Sequence, residues 1–169
     1  ASTIASIIKN EYGNPSSTHS YGRSSKSLIE YSRKEISDIL NVKSSEIIFT
    51  SGGTEGDNMI IRNCVNNLGV SHVITTKIEH HAVTHTIDDL IRSNNINVSY
   101  VKLSKSGHVD LNDLEEILKR SDEKSLVSLM HINNEIGNIL DINHVCKLCK
   151  SNNALFHSDT VQGVGHYNI

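Results

Sequence analysis

The sequence predicts an α/β fold in which a mostly parallel sheet is flanked by helices. Short apolar runs rich in Ile, Val and Leu alternate with segments whose apolar residues recur every three or four positions. Most of the short runs end in a polar or glycine-containing segment that leads into the next helix. This order favours a parallel sheet, because parallel strands need crossover connections that are usually helices. The 169 residues are enough for one domain with a sizeable core.

The first predicted elements lie on either side of a glycine pair. Residues 23–40 form a predicted helix, with apolar positions that include Leu28 and Ile36. Residues 46–50 (EIIFT) are predicted to be a short buried strand. The chain then passes through two glycines into a predicted helix that contains residues 59–64.

The rest of the chain repeats the strand–helix order. Runs rich in β-branched and other apolar residues predict four strands, over residues 72–75, 98–103, 126–132 and 154–157. Helical spacing of apolar residues predicts three helices, over residues 82–91, 111–120 and 142–150. Ligands of parallel sheets bind at the carboxyl ends of the strands, so the polar segments that follow the strands are candidate binding residues.

Charge and hydropathy argue against several classes of function. The formal net charge is −3 with Lys and Arg scattered, so direct nucleic-acid binding is not expected. No apolar run approaches the roughly 20 residues of a membrane-spanning helix, and no membrane association is expected. The first residues lack the charged start and apolar centre of a signal peptide.

The three cysteines do not form a disulfide framework in a chain of this length, which favours a reducing compartment. Cys146 and Cys149 match C-x-x-C, but they lie in a predicted helix, where residues three apart share a face. Both are therefore predicted to be small core residues, as is Cys64, and no metal site is predicted.

Residues 50–58 (TSGGTEGDN) join a predicted strand to a predicted helix. Two glycines allow close approach of the backbone to a ligand, and the start of a helix offers free N–H groups. Together with the Thr54 hydroxyl, they predict a phosphate-binding loop. The ordinary alternative is a glycine turn with Thr54 as an N-cap.

Two further polar segments follow predicted strands. His80, in residues 78–83 (IEHHAV), could stack on a ring or move a proton, or it could simply face water at the start of a helix. Residues 131–137 (HINNEIG) carry amides that could donate to an oxygen on a ring, although a plain Asn-rich turn explains the same pattern.

The last strand is followed by Asp159 and, three residues on, Gln162. A carboxylate at the carboxyl end of a strand is well placed to meet a cationic ring nitrogen. Pyridoxal phosphate needs such a partner, because the protonated pyridine nitrogen makes its ring an electron sink. Asp159 is therefore a candidate cofactor-binding residue.

Five segments, taken in order, resemble the cysteine desulfurases of the nitrogen-fixation and iron–sulfur-cluster type. These are fold-type I pyridoxal-phosphate enzymes of the class V aminotransferase family. The segments are residues 13–23 (GNPSSTHSYGR), 49–58 (FTSGGTEGDN), 78–83 (IEHHAV), 131–137 (HINNEIG) and 157–165 (HSDTVQGVG). The resemblance runs from about Tyr12 to the last residue.

The resemblance implies roles for six residues. Thr54 and the Gly53 backbone match the phosphate-binding loop, and His80 matches the catalytic histidine that stacks on the pyridine ring and assists proton transfer.

The remaining three matched residues surround the ring in the family. Asn134 matches the asparagine near the ring hydroxyl, Asp159 the partner of the ring nitrogen, and Gln162 a further contact on the hydroxyl side.

The resemblance further implies that L-cysteine is converted to L-alanine, with the sulfur held as an enzyme-bound persulfide. The sulfur would pass to an iron–sulfur scaffold or another acceptor protein, or serve tRNA thiolation, and the full-length enzyme would be a homodimer. The family's Schiff-base lysine and catalytic cysteine follow the aspartate strand and have no match in this sequence. Residues 1–169 are thus interpreted as part of the large cofactor-binding domain without the small C-terminal domain, and as inactive alone.

Two alternatives stay open: an enzyme like selenocysteine lyase, which shares the fold, and a truncated binding protein without catalysis. The compartment is expected to be the cytoplasm or an organelle such as a mitochondrion or plastid, and no targeting segment is visible.

Overall fold

A computed structural model describes residues 2–94 and 96–167 of the chain. The described helices are α1 (Ser2–Asn10), α2 (Ser20–Leu40), α3 (Gly53–Asn66), α4 (His81–Asn94), α5 (Leu111–Arg120) and α6 (Ile142–Ser151), with a 3₁₀ turn at Ser44–Glu46. The described strands are β1 (His72–Thr75), β2 (Asn97–Tyr100), β3 (Ser125–Ser128) and β4 (Leu155–His157). The residues up to Phe49 form one compact unit, and those from Thr50 onward form a second.

The first unit is built around α2. The His19 ring caps the start of this helix, since its Nδ1 accepts a hydrogen bond from the Gly22 amide at 3.2 Å. Asn41 ends the helix in the left-handed conformation, with φ of 53°. The preceding turn is closed by the Asn14 side chain, which accepts from the Ser16 amide. The polar run before α2 therefore has a structural role in this unit.

The second unit contains a four-stranded sheet in the order β2-β1-β3-β4, and every pair is parallel. The chain moves from β1 to one neighbour, β2, and then to β3 on the opposite side of β1. Such a reversal of strand order leaves a crevice outside the carboxyl ends of the strands. This is the edge of the sheet at which the sequence analysis predicted ligand binding.

The sheet has apolar side chains on both faces, as expected for a parallel sheet covered by helices. Val73 and Leu126 pack with side chains of α3 and α4. Their chain neighbours Ile74 and Val127 point to the other face, where they pack with side chains of α5 and α6. The predicted fold class is therefore confirmed: an α/β unit with a parallel sheet between helices.

The strand predicted over residues 46–50 is wrong. Residues 44–46 form the 3₁₀ turn, Ile47 after it is extended, and residues 47–50 belong to no strand among the described residues. Ile48 is 65% exposed and Phe49 is 47% exposed, with the Arg33 guanidinium 4.8 Å from the Phe49 ring centre. An apolar run becomes a strand only where a partner strand satisfies its backbone, and composition alone does not supply that partner.

Element ends differ from the predictions by a few residues elsewhere. The strands predicted over residues 98–103 and 126–132 end at Tyr100 and Ser128, although sheet-like hydrogen bonds continue where Val101 donates to Thr75 and His131 donates to Asp159. Helix α5 has the predicted bounds, because Asp110 caps its start by accepting from the Asn112 and Asp113 amides. Helix α1 lies where no element was predicted.

The cysteines are only partly as predicted. Cys64 and Cys149 are buried in the two apolar clusters, but Cys146 is exposed on α6. Residues three apart on a helix lie about 60° from being in line, so one can face the core while the other faces solvent.

We expect a water-soluble aromatic disulfide reagent to modify Cys146 rapidly in the native protein. Cys149 should resist it, because burial raises the pKa of its thiol to about 12, and burial also raises the pKa of Cys64. Native labelling of Cys146→Ala should fall nearly to zero, whereas Cys149→Ala should label like the parent. If Cys149→Ala instead lost most of its native labelling, Cys149 rather than Cys146 would be the accessible thiol, and the prediction would be wrong.

Between residues 2 and 94 and between 96 and 167, no helix is both long and apolar enough to cross a membrane.

Candidate functional site

A polar cavity of about 220 Å³ lies where the segments that follow β1, β3 and β4 meet the start of α3. It is lined by Gly53, Thr54, Asp57, His80, Met130, Asn134, Asp159, Val161 and Gln162. All six residues that the sequence analysis selected are among them. Strand order explains the convergence, because the carboxyl ends of neighbouring parallel strands meet at one edge of the sheet.

The start of α3 forms one wall of this cavity. The helix begins after Gly52, and no side chain caps its first N–H groups. A Cβ on Gly53 would lie 2.8 Å from Val161 Cγ2, so glycine permits close packing of the helix start against the segment after β4. The Glu55 carboxylate accepts from the Ser51 amide at 2.6 Å, and its bonds with Ser51 lower the pKa of Glu55. The helix start therefore keeps a positive dipole end beside the Thr54 hydroxyl.

The loop from Thr76 to His80 carries the imidazole. His80 Nδ1 accepts a hydrogen bond from the Ala82 amide at 3.1 Å, which places the proton of the neutral ring on Nε2. The Ala82 carbonyl in turn accepts from the Asn58 side chain of α3 at 3.3 Å. The ring is thus fixed relative to the helix that supplies Thr54.

Two adjacent asparagines follow β3: Asn133 holds the turn together, and Asn134 lines the cavity. Asn133 is buried, and its Oδ1 accepts from the amides of Glu135 and Ile136, which closes the turn. Its Nδ2 donates to the Ile78 carbonyl at 2.8 Å, tying the turn to the loop of His80. Asn134 is exposed and lines the cavity, where its amide is free to meet a ligand.

The segment after β4 is held against the end of β3. The His131 amide donates to the Asp159 carbonyl at 2.9 Å, and Asp159 Oδ1 accepts from the Val161 amide at 2.9 Å. A Cβ on Gly163 would lie 2.3 Å from His131 Nδ1, so this position requires glycine. These contacts fix the backbone on which Asp159 and Gln162 line the cavity.

Asp57 is a charged cavity residue that the sequence analysis did not select. It is buried in the first turns of α3, and its Oδ1 lies 3.4 Å from His157 Nε2. The other ring nitrogen of His157 is 2.9 Å from the Ser128 hydroxyl oxygen. The position of Asp57 near the start of a helix was recognisable in the sequence. Its partner His157 comes from β4, so the contact between them is apparent only in the fold.

Glu79, next to His80, is also buried. Burial raises the pKa of its carboxyl to about 7, against the opposing effect of hydrogen bonds from the Met130 amide and the Thr76 hydroxyl. The nearby Asp159 and Asp57 raise it further. A carboxyl that is partly neutral near pH 7 therefore lies beside a cavity that holds two other carboxylates.

The cavity combines two carboxylates, two amides, an imidazole and a hydroxyl with the N-terminus of a helix. Such a set can bind a small ligand that carries an anionic group and a cationic, hydrogen-bonding ring. Among the residues that the structure describes, no group of three or more His, Cys, Asp or Glu side chains could hold a metal ion.

The fold and the cavity define an α/β protein with a polar cavity at the carboxyl ends of its parallel strands. More specifically, the chain belongs to the aminotransferase class-V family, which matches residues 2–169. This is a family of pyridoxal-phosphate enzymes.

Individual relatives and solved structures agree with this family. Cysteine desulfurase IscS of Dictyoglomus turgidum is 42% identical over 165 residues, which cover 95% of this chain and 40% of the relative. A solved NifS-like protein superposes with a TM-score of 0.88 at 35% identity, covering 98% of this chain and 46% of its own. A structure of SspA in complex with cysteine superposes with a TM-score of 0.90 at 28% identity. The match covers 99% of this chain and 48% of the SspA chain. The chain thus spans less than half the length of each of these proteins.

Proposed function

We propose that this chain belongs to a pyridoxal-phosphate-dependent cysteine desulfurase and forms part of its large, cofactor-binding domain. The observation that carries the proposal is the single cavity in which Gly53, Thr54, His80, Asn134, Asp159 and Gln162 come together. These residues come from four segments that are well separated along the sequence. The names of the similar proteins support the reaction, and the proposal extends it to this chain.

The residues present fit pyridoxal phosphate. The uncapped start of α3 and the Thr54 hydroxyl offer donors to a phosphate group. Asp159 offers a carboxylate to a protonated ring nitrogen, and the amides of Asn134 and Gln162 can donate to a ring oxygen.

Pyridoxal phosphate, when bound, supplies an electron sink that weakens bonds at the α and β carbons of an amino acid. The chain's own contribution is electrostatic and geometric. Asp159 favours the protonated ring nitrogen, because a nearby negative charge stabilises the cationic form. His80 Nε2 can hold or move a proton at the cavity, and the Ala82 amide, which donates to Nδ1, sets the orientation of the ring.

The proposed substrate is L-cysteine, whose sulfur would pass to an enzyme thiol as a persulfide while L-alanine is released. The structure of SspA with cysteine supports this substrate for a similar fold. We propose that an iron–sulfur scaffold or another acceptor protein takes the sulfur, and that the protein at its natural length is a homodimer.

The direct test uses the protein at its natural length. We expect added pyridoxal phosphate to produce a visible absorption band and L-cysteine to yield L-alanine, measured by chromatography. A protein that binds the cofactor without forming alanine would leave the desulfurase proposal without support, and one that binds no cofactor would contradict it outright.

Thr54→Val is expected to weaken pyridoxal-phosphate binding about tenfold, because a hydrogen bond to a charged group contributes about 1.5 kcal/mol or more. The measurement is the cofactor dissociation constant from absorption titration. Thr84→Val, on α4 outside the cavity lining, is the matched control and should bind like the parent. Equal affinity in both variants would remove Thr54 from the proposed phosphate site.

A further inference from the structure

We propose that Glu79 is a positioning residue of this site, whose buried carboxyl ties the loop carrying His80 to the end of β3. The proposal rests on the proposed function, since it concerns the same cavity. Glu79 itself is outside the cavity lining, so it would act through His80 and Met130 rather than touch the ligand.

The contacts of Glu79 connect two segments that meet at the cavity. Its Oε1 accepts from the Thr76 hydroxyl at 2.9 Å, within the loop that follows β1. The Met130 backbone, just after β3, also acts on the carboxyl and opposes the rise in its pKa, and Met130 and Glu79 line the same neighbouring cavity. Only 8% of Glu79 is exposed, so these contacts are shielded from water. The carboxyl therefore holds the His80 loop and the Met130 segment at a fixed separation.

A hydrogen bond beside Glu79 also connects the His80 loop to the segment after β3. Asn133 Nδ2 donates to the Ile78 carbonyl at 2.8 Å, one residue before Glu79. Met130 lines the candidate site and also a neighbouring cavity of about 210 Å³, which Glu79 lines as well. Glu79 thus lines a cavity that adjoins the candidate site at Met130.

The environment of the second carboxyl oxygen of Glu79 favours the protonated, neutral form of the side chain. Within the described part of the chain, Glu79 Oε2 is buried and has no hydrogen-bond partner. An unpaired carboxylate oxygen in such a place is strongly unfavourable, whereas a protonated oxygen removes the charge.

The surrounding charges act in the same direction. Asp57 on α3 and Asp159 after β4 both disfavour a third negative charge at this position. The other titratable groups of the neighbouring cavity are His108 and Asp141. Burial is the largest effect on the pKa of Glu79, so neutrality is mainly a consequence of its position in the fold.

The experiment compares Glu79→Gln with Glu79→Ala in the protein at its natural length. Glutamine reproduces the shape and hydrogen bonding of a neutral carboxyl, whereas alanine removes both. We expect the imidazole nitrogen signals of His80, measured by NMR without cofactor, to be unchanged in the Gln variant and shifted in the Ala variant. The pyridoxal-phosphate dissociation constant should stay within about threefold for Gln and rise about tenfold for Ala. Glu116→Gln, exposed on α5, is the matched control and should change neither.

A pH profile separates a neutral carboxyl from a charged one. A carboxyl whose pKa is raised on folding stabilises the folded state less as pH rises from its unfolded value towards its folded value. The melting temperature of the parent should therefore fall relative to Glu79→Gln between about pH 4.5 and pH 7, and then run parallel to it.

Two results would overturn the proposal. If Gln disturbs the His80 signals as much as Ala does, the charged form is required; if Ala leaves them unchanged, Glu79 does not position the loop. A parent protein that binds no pyridoxal phosphate would contradict the proposed function alone, because the His80 signals and the pH profile are measured without cofactor.

Discussion

Asp159→Ala is expected to reduce cysteine-dependent alanine formation by the natural-length protein at least about 100-fold, the loss typical of removing one preorganised electrostatic group. Without the carboxylate, nothing among the cavity-lining residues but Asp57 carries a negative charge. The ring nitrogen of the cofactor would then lose the group that favours its protonation, and with it the electron sink. Single-turnover alanine formation at saturating cofactor measures the effect without a contribution from weaker binding.

Asp159→Asn separates charge from structure. The asparagine oxygen can still accept from the Val161 amide, so the turn after β4 should persist and the melting temperature should stay close to that of the parent. Turnover should nevertheless fall nearly as far as in the alanine variant. Near-normal turnover in Asp159→Asn would show that the negative charge is not used.

The fold was predictable because the central strands are marked by composition. Strands β1 and β3 are buried on both faces, which demands continuous apolar or small residues, and the helices between them keep a regular apolar spacing. Residues 46–50 have the same composition but no partner strand among the described residues, and partner availability is a property of the whole fold. Helix α1 was missed for a related reason. None of its described residues is buried, so no packing against a core marks this helix.

The positions of the six selected residues were predictable for a topological reason. His80, Asn134 and Asp159 belong to segments that follow β1, β3 and β4, and parallel strands bring such segments to one edge. Thr54 reaches the same cavity through the start of α3, because the apolar run before it is not a strand. Asp57 and Glu79 escaped selection because their environments depend on partners distant in sequence. A carboxylate near the start of a helix, or one before a histidine, has no sequence feature that indicates burial.

The buried pair of Asp57 and His157 should have the largest effect on stability. His157→Ala is expected to lower the free energy of unfolding by about 3 kcal/mol or more, because it removes a buried ring and leaves the buried Asp57 side chain without its polar neighbour. The Ser128 hydroxyl would lose its bond to the same ring. Urea denaturation measures the change, and His144→Ala, exposed on α6, should stay within about 0.5 kcal/mol of the parent.

A double-mutant cycle identifies the cause of that loss. If an unpaired charge dominates, Asp57→Asn in the His157→Ala background should recover part of the stability, with a coupling of about 1 kcal/mol or more. If the cavity left by the imidazole dominates, the two losses should add. Neither substitution refills the space left by the imidazole, so part of the loss persists. Recovery is therefore expected to be incomplete, and strict additivity would show that Asp57 does not depend on His157.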